Sequence, residues 1–315
     1  MPELPEVEVV RAGLEPAVTG AMVQRVEVFD ERSLRRHSGP SEDFIDRLTG
    51  AVFEAPQRRG KFLWIPLAFD QMKEPLKAIA SIAGESSAQL AESPSFGEKQ
   101  ALVVHLGMSG QVLLRDAGAL DKLTRIRFDL STGQRINFVD QRIFGSMAID
   151  ELVDAGHGQT IPTQVAHIAR DLLDPHFDEK LFRTRLAKKN TGIKRALLDQ
   201  GLISGIGNIY ADEALWRARI HYETPTSSLP TARVRLLLAE ARAVMLQALA
   251  EGGTSFDEQY KNVNGTSGYF ERSLQAYGQQ GKPCPRCGRP IVREQFMNRG
   301  SHFCPFCQRM PRTAL

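Results

Sequence analysis

The chain has 315 residues, 42% of them hydrophobic and 24% charged, a globular profile with length for two or three domains. A formal net charge of +3 does not by itself announce a polyanionic partner. No apolar run approaches the roughly 18 residues of a membrane span, and MPELPEVEVV lacks the basic and apolar regions of a secretory signal; the chain is expected to be cytoplasmic, with no membrane partner.

Taken in order, the chain predicts an early helix from Pro5. Proline sits in its first turn, Glu6 and Glu8 lie at its positive end, and Val7, Val10 and Leu14 share a face. Short runs rich in β-branched and aromatic residues follow at 22–29, 61–67, 101–108, 111–115, 125–130 and 135–140, with Ser131-Thr132-Gly133 as a hairpin turn. They predict a mostly antiparallel β region, a sandwich with one leading helix. Residues 68–100, rich in Ser, Ala, Gly, Glu and Pro, read as an insertion without a chemical role. From about Pro162 the period becomes helical, over 178–188, 192–200, 207–218 and 230–251, the last stopped by Gly252-Gly253. The expected class is therefore α+β multidomain: a β-sandwich domain over 1–160, a helical domain over 161–273 and a cysteine module over 274–315.

In that last module Cys284-x2-Cys287 and Cys304-x2-Cys307 are separated by sixteen residues, room for a β-hairpin between two tight turns. Four cysteines at this spacing in a cytoplasmic protein predict one structural Zn2+, since four thiolates leave no open coordination position; iron or unbound thiols are the alternatives. From Lys282 onward there are seven basic residues against Glu294, a local charge of +6, so the residues before it sum to −3. A basic module on a near-neutral body suits phosphate contact, although a solvated basic tail has the same composition. Arg299, on the hairpin before Cys304, is the arginine best placed to be held rigidly.

In 188–215, basic residues lead into a helix, a glycine-rich turn and a second helix. Gly205, Gly207 and Asn208 stand at the start of that second helix, where free N–H groups and the dipole suit an anion; an ordinary helical hairpin with a glycine turn fits the same pattern. HLGMSGQ (105–111) and VDQRIFG (139–145) put Met108, Arg142 and Phe144 near strand ends. Such side chains usually belong to a core or its rim, but an everted base leaves a hole in the stack that needs apolar wedges and a hydrogen-bonding cation. At the N-terminus, methionine before a small residue is normally removed, which exposes Pro2 as a secondary amine. An α-amino group titrates near about pH 7.7–8.0 and is partly unprotonated at neutral pH. Such an amine can displace a base at C1′ and become an iminium electron sink, with the adjacent Glu3 moving protons.

Together, PELPEVE, RRGKFL, HLGMSG, QRIFG, IKRALLDQGLISGIGNIYADEAL, GYF…LQAYGQQGKPC and the four-cysteine module resemble the formamidopyrimidine-DNA glycosylase family over nearly the whole chain. The resemblance implies a two-sheet β-sandwich, a helix–two-turn–helix domain and a zinc finger, with damaged double-stranded DNA across the cleft between them. It implies a bacterial-type, nucleoid-associated monomer of base excision repair that removes 8-oxoguanine and formamidopyrimidines and cleaves the strand by β,δ-elimination. Pro2 would be the Schiff-base nucleophile, Glu3 the acid, Lys61 the lysine assisting β-elimination, and Arg299 the phosphate grip associated with δ-elimination. Met108, Arg142 and Phe144 would fill the vacated stack; Lys194, Asn208 and His105 would meet the DNA backbone; the loop around 255–270 would close over the base. Leu123 stands where the family commonly has histidine, Asn190 where it is usually basic and Ile143 where it is often basic. Rival readings are the related endonuclease VIII class, acting on oxidised pyrimidines, and a non-catalytic zinc-ribbon DNA-binding protein.

Overall fold

A computed structural model describes residues 2–69, 99–116, 118, 120–254, 263–264 and 268–310. Most of the expected insertion and of the 255–270 loop lies outside the described residues. The leading helix, α1 (Leu4–Val18), forms a capping box in which Glu3 caps the helix and Glu6 reaches back to the Glu3 amide. Its buried stripe divides between two cores. Leu4 enters the helical core of the second half, whereas Val7, Val10, Leu14 and Val18 enter the core of the sandwich. One helix thus fixes the N-terminus at the boundary between the two.

The sandwich has two sheets. The first runs β1 (Val23–Val28), β7 (Thr124–Leu130), β8 (Gln134–Asp140) and β6 (Gly110–Asp116), in that spatial order. β7 shows why it forms: Thr124, Ile126, Phe128 and Leu130 are buried while Arg125, Arg127 and Asp129 between them are only partly so. Gly133, at φ +81°, makes the predicted turn to β8.

The second sheet runs β10 (Thr160–Pro162), β9 (Ser146–Asp154), β5 (Gln100–His105), β4 (Phe62–Ala68) and β2 (Val52–Phe53), with β3 (Gln57–Arg59) also on β4. β4 does not alternate because both its faces are covered. Leu63, Ile65 and Leu67 face the sandwich core, while Phe62 and Trp64 join Ala101, Val103 and Ile161 in a second cluster.

The predicted strands are all present. Unpredicted elements include the helix α2 (Ser41–Leu48), whose short signal is Phe44 and Leu48 one turn apart after Pro40, the strand β9 and the short strands β2, β3 and β10. The helical half contains α3 (Glu179–Ala187), α4 (Ile193–Leu197), α5 (Asn208–Ala218) and α6 (Thr231–Ala250). α4 ends earlier than its periodicity suggests, because Asp199 starts a tight turn, its side chain taking the Gly201 amide and its carbonyl those of Leu202 and Ile203. α6 stops at Gly252 and Gly253, both at positive φ. The basic module is a hairpin of β11 (Val292–Phe296) and β12 (Arg299–Phe303), with Met297 and Asn298 at its tip. Among the described residues no helix is long and apolar enough to cross a membrane.

Candidate active site and nucleic-acid interface

Glu3 caps two helices at once. Its carboxylate, 3% exposed, accepts the amide of Gly207 at 2.7 Å, that of Ile209 at 2.9 Å and that of Tyr210 at 3.3 Å, at the N-terminus of α5. Gly207 is required by this approach, because a Cβ there would collide with the carboxylate. Gly205, at φ +86°, lies against Leu4 and accepts its amide at 3.0 Å. The glycine-rich turn therefore holds the chain's own N-terminal carboxylate in the anion-binding position expected there. Burial keeps the Glu3 carboxyl above the ordinary range of a glutamate, against the pull of the Lys61 ammonium and the amides of α5. Pro2, immediately before it, is buried.

Glu6 accepts the Glu3 amide at 2.9 Å, the Tyr210 hydroxyl at 2.7 Å, and the Thr254 amide and hydroxyl at 2.9 and 2.8 Å. It thereby fixes the start of the 255–270 loop to the turn carrying Pro2. Sequence reasoning read Glu6 only as a helix-dipole acid; its spacing from Glu3 was the usable signal for a capping box.

Lys61 follows Gly60, which has φ +57°. Burial pushes its ammonium below the usual lysine range; the Glu3 carboxylate opposes this and Arg299 adds to it. The three side chains therefore lie within one another's fields. Lys61 and Arg299 border a cleft of about 390 Å³ lined from all three parts of the molecule: Lys61, Phe62 and His105 from the sandwich, Arg195 and Gln200 from the helices, Met297 and Arg299 from the hairpin. Arg299 is exposed. The His105 ring lies tilted against Phe62 with ring centres 4.9 Å apart, and its Nδ1 has no hydrogen-bond partner among the described residues. Burial, with Arg36, Arg35 and Lys61 nearby, brings its imidazole down to about 4, so it is neutral at physiological pH.

Lys194 and Asn208, expected to meet phosphates, have partners within the chain as well. Lys194 is completely buried; its ammonium pairs with Asp212 at 2.6 Å and donates to Ser301 Oγ at 2.8 Å and the Gly300 carbonyl at 3.2 Å. Asn208 donates to the same carbonyl at 3.1 Å. Asp212 also accepts the His302 amide at 2.9 Å. Both residues dock the hairpin behind Arg299 rather than facing solvent, and Asp212, not anticipated, organises the contact.

The wedge side chains are brought together at one rim. Met108 and Phe144 are 40% and 42% exposed, and the Arg142 guanidinium lies 4.8 Å from the Phe144 ring centre. Their loops are held by Asp140, which sequence reasoning missed although an Asp opening a turn is a recognisable signal. Its carboxylate accepts Ser109 Oγ at 2.5 Å and the amides of Arg142, Ile143 and Gly145 at 3.0, 3.0 and 2.6 Å. From the other side the Arg35 guanidinium donates to the carbonyls of Ile143, Phe144 and Gly145. Ile143 is bent to φ +55°, a costly conformation for a β-branched residue. Of the other unusual positions, Leu123 is 39% exposed at φ +67° and Asn190 is exposed.

Cys284, Cys287, Cys304 and Cys307 place their sulfurs within 4.8 Å of one another. Tetrahedral zinc with metal–sulfur bonds of about 2.3 Å needs sulfurs about 3.8 Å apart, so this set fits such an ion.

A buried carboxylate at a helix N-terminus, a depressed lysine across from it and a cation-bearing hairpin over one cleft define a protein that brings acid–base chemistry to a polyanion. Family models agree: the formamidopyrimidine-DNA glycosylase N-terminal domain matches residues 1–147, its H2TH domain 168–259, and a zinc finger found in FPG and IleRS 281–309. The chain is 57% identical to the formamidopyrimidine-DNA glycosylase of Leifsonia xyli, over 98% of this chain and all of that one. Its fold is similar to Lactococcus lactis Fpg bound to Fapy-dG-containing DNA, with TM-score 0.78 and 30% identity over 98% of this chain and 100% of that one. A complex of the Lactococcus protein with DNA containing an oxidised pyrimidine is similar at TM-score 0.76, with 30% identity and the same coverage. The chain belongs to the formamidopyrimidine-DNA glycosylase family, DNA-repair enzymes that bind DNA.

Proposed function

We propose that the chain is a bifunctional glycosylase and lyase that excises oxidised purines from double-stranded DNA and cuts the strand by β,δ-elimination. The observation that carries this reading is the placement of Glu3 on the α5 amides, with Pro2 beside it and Lys61 and Arg299 facing the same cleft. Once Met1 is removed, the Pro2 amine attacks C1′ and the C1′–N bond breaks, its electrons leaving with the base. Glu3, protonated more readily than an ordinary glutamate, supplies a proton as the sugar ring opens. Once the nitrogen has given its N–H proton to the departing base, its lone pair forms an iminium as the C1′–O4′ bond breaks; the C2′–H electrons flow into this iminium when a base takes that proton, the 3′ phosphate departs, and loss of the C4′ proton expels the 5′ phosphate in a second elimination.

Lys61, with its lowered pKa, is the residue assigned to assist the first elimination, and Arg299 holds the phosphate. His105 offers a neutral N–H to the backbone. Met108, Arg142 and Phe144 fill the vacated stack. Lys194 and Asn208 meet the DNA backbone beside the hairpin they dock. One Zn2+ on Cys284, Cys287, Cys304 and Cys307 would hold the turns that flank it; its role is structural. A monomer suffices, since the residues assigned here come from one chain.

A second reading, action on oxidised pyrimidines, is favoured by the oxidised-pyrimidine complex of the Lactococcus relative. The test is excision and strand cleavage on duplexes carrying 8-oxoguanine opposite C, 8-oxoguanine opposite A, or an oxidised pyrimidine. Faster excision of the purine supports the first reading, and faster excision of the pyrimidine supports the second.

A further inference from the structure

The turn that presents Lys61 is held from the neighbouring domain. Arg58, on β3, donates through Nε to Glu8 of α1 at 2.8 Å, and through Nη1 to Asp171 Oδ2 at 2.8 Å and to the Gly60 carbonyl at 3.1 Å. The same Asp171 oxygen accepts the Gly60 amide at 3.2 Å, while Oδ1 accepts the amide of Leu173 at 3.0 Å. Gly60 is thus gripped at both its N–H and its C=O, one residue from Lys61. Asp171 is 1% exposed and belongs to the stretch that leads into the helical domain. It also bridges to Ser204, against which a Cβ at Gly60 would lie at 2.7 Å; the glycine turn that receives Glu3 begins at the next residue.

A buried ion pair that merely ties two domains would need none of the bonds to Gly60. Here the pair ends on the one peptide whose left-handed conformation aims the following lysine. Glu8 and Arg58 reinforce this: despite burial, bonds from Arg11 and Arg58 hold the Glu8 carboxyl below the usual range, and the arginine sits between Glu8 and Asp171.

We propose that Asp171, acting through Arg58 and the Gly60 peptide, is a positioning residue for Lys61. The proposal rests on the reading of Lys61 as the residue that assists strand cleavage. It is tested by single-turnover scission of a duplex with a preformed abasic site, measured for Lys61→Ala, Asp171→Asn and the double variant, with affinity for a tetrahydrofuran-containing duplex measured alongside. Displacement of Lys61 by a fraction of an ångström should slow scission about 10-fold in Asp171→Asn while leaving affinity within about twofold. The double variant should be no slower than Lys61→Ala, because nothing remains for Asp171 to position.

Multiplying effects, or wild-type scission in Asp171→Asn, would overturn the proposal while leaving the role of Lys61 intact. Wild-type scission in Lys61→Ala would instead remove that role, and the proposal with it. If Asp171→Asn does not fold, Arg58→Lys decides in its place, since lysine keeps the charge but cannot span Glu8, Asp171 and Gly60 together. Its loss of scission should likewise vanish in the Lys61→Ala background, and persistence of that loss would overturn the proposal.

Discussion

The buried carboxylates around Glu3, the floor of the site, and the wedge rim solve opposite problems. At the floor, charged side chains are buried and held by backbone amides: Glu3 by the first turn of α5, Glu6 by Thr254 and the Glu3 amide. At the rim, apolar side chains are exposed and the backbone beneath them is held by charged side chains, Asp140 on the amides and Arg35 on the carbonyls. Chemistry needs a carboxyl whose protonation is set by its surroundings. Insertion into a base stack needs exposed apolar side chains and a loop that does not yield.

The sharpest way to break the floor is Gly207→Ala, which forces Glu3 off the amides of α5. Base excision should fall about 100-fold, with a smaller loss of DNA affinity, as read by single-turnover kinetics and binding to an uncleavable duplex. Unchanged excision would show that the Glu3 placement is incidental. Removal of the metal should come next: with the hairpin unfolded Arg299 is no longer held, and DNA affinity should fall about 10-fold, while retained nicking by the metal-free protein would contradict the role given to the module.

At the rim, Asp140→Ala frees three amides and should lower affinity for lesion duplexes without altering scission of a preformed abasic site; equal loss in both assays would erase the contrast with the floor. Ile143→Asn should raise stability by about 1 kcal/mol, because asparagine tolerates the left-handed conformation that isoleucine resists, and thermal unfolding measures it.

The smallest effect concerns pH. The His105 pKa falls from 6.5 to about 4 on folding, so between those values the unfolded chain binds the extra proton and stability declines as the pH drops. His105→Gln should flatten that part of the profile.

Much of this was legible from residue order. The period-2 pattern of β7 and the two CxxC pairs wrote the sandwich and the hairpin plainly, and the family motifs named Pro2, Glu3, Lys61 and Arg299. What stayed hidden depends on contacts between distant segments. Nothing near Lys194 says that Asp212 will bury it, and the glycine turn read as a phosphate cradle is filled by Glu3 from two hundred residues away. Asp140, Arg35 and Asp171 act on backbone groups, which the identity of neighbouring side chains does not advertise.

The account turns on the amine of Pro2, and borohydride trapping on abasic duplex DNA tests it most directly. A covalent adduct whose mass maps to the N-terminal proline of the processed chain is the predicted result. An adduct mapped to Lys61 or another lysine, or one that survives unchanged in Pro2→Gly, would contradict it.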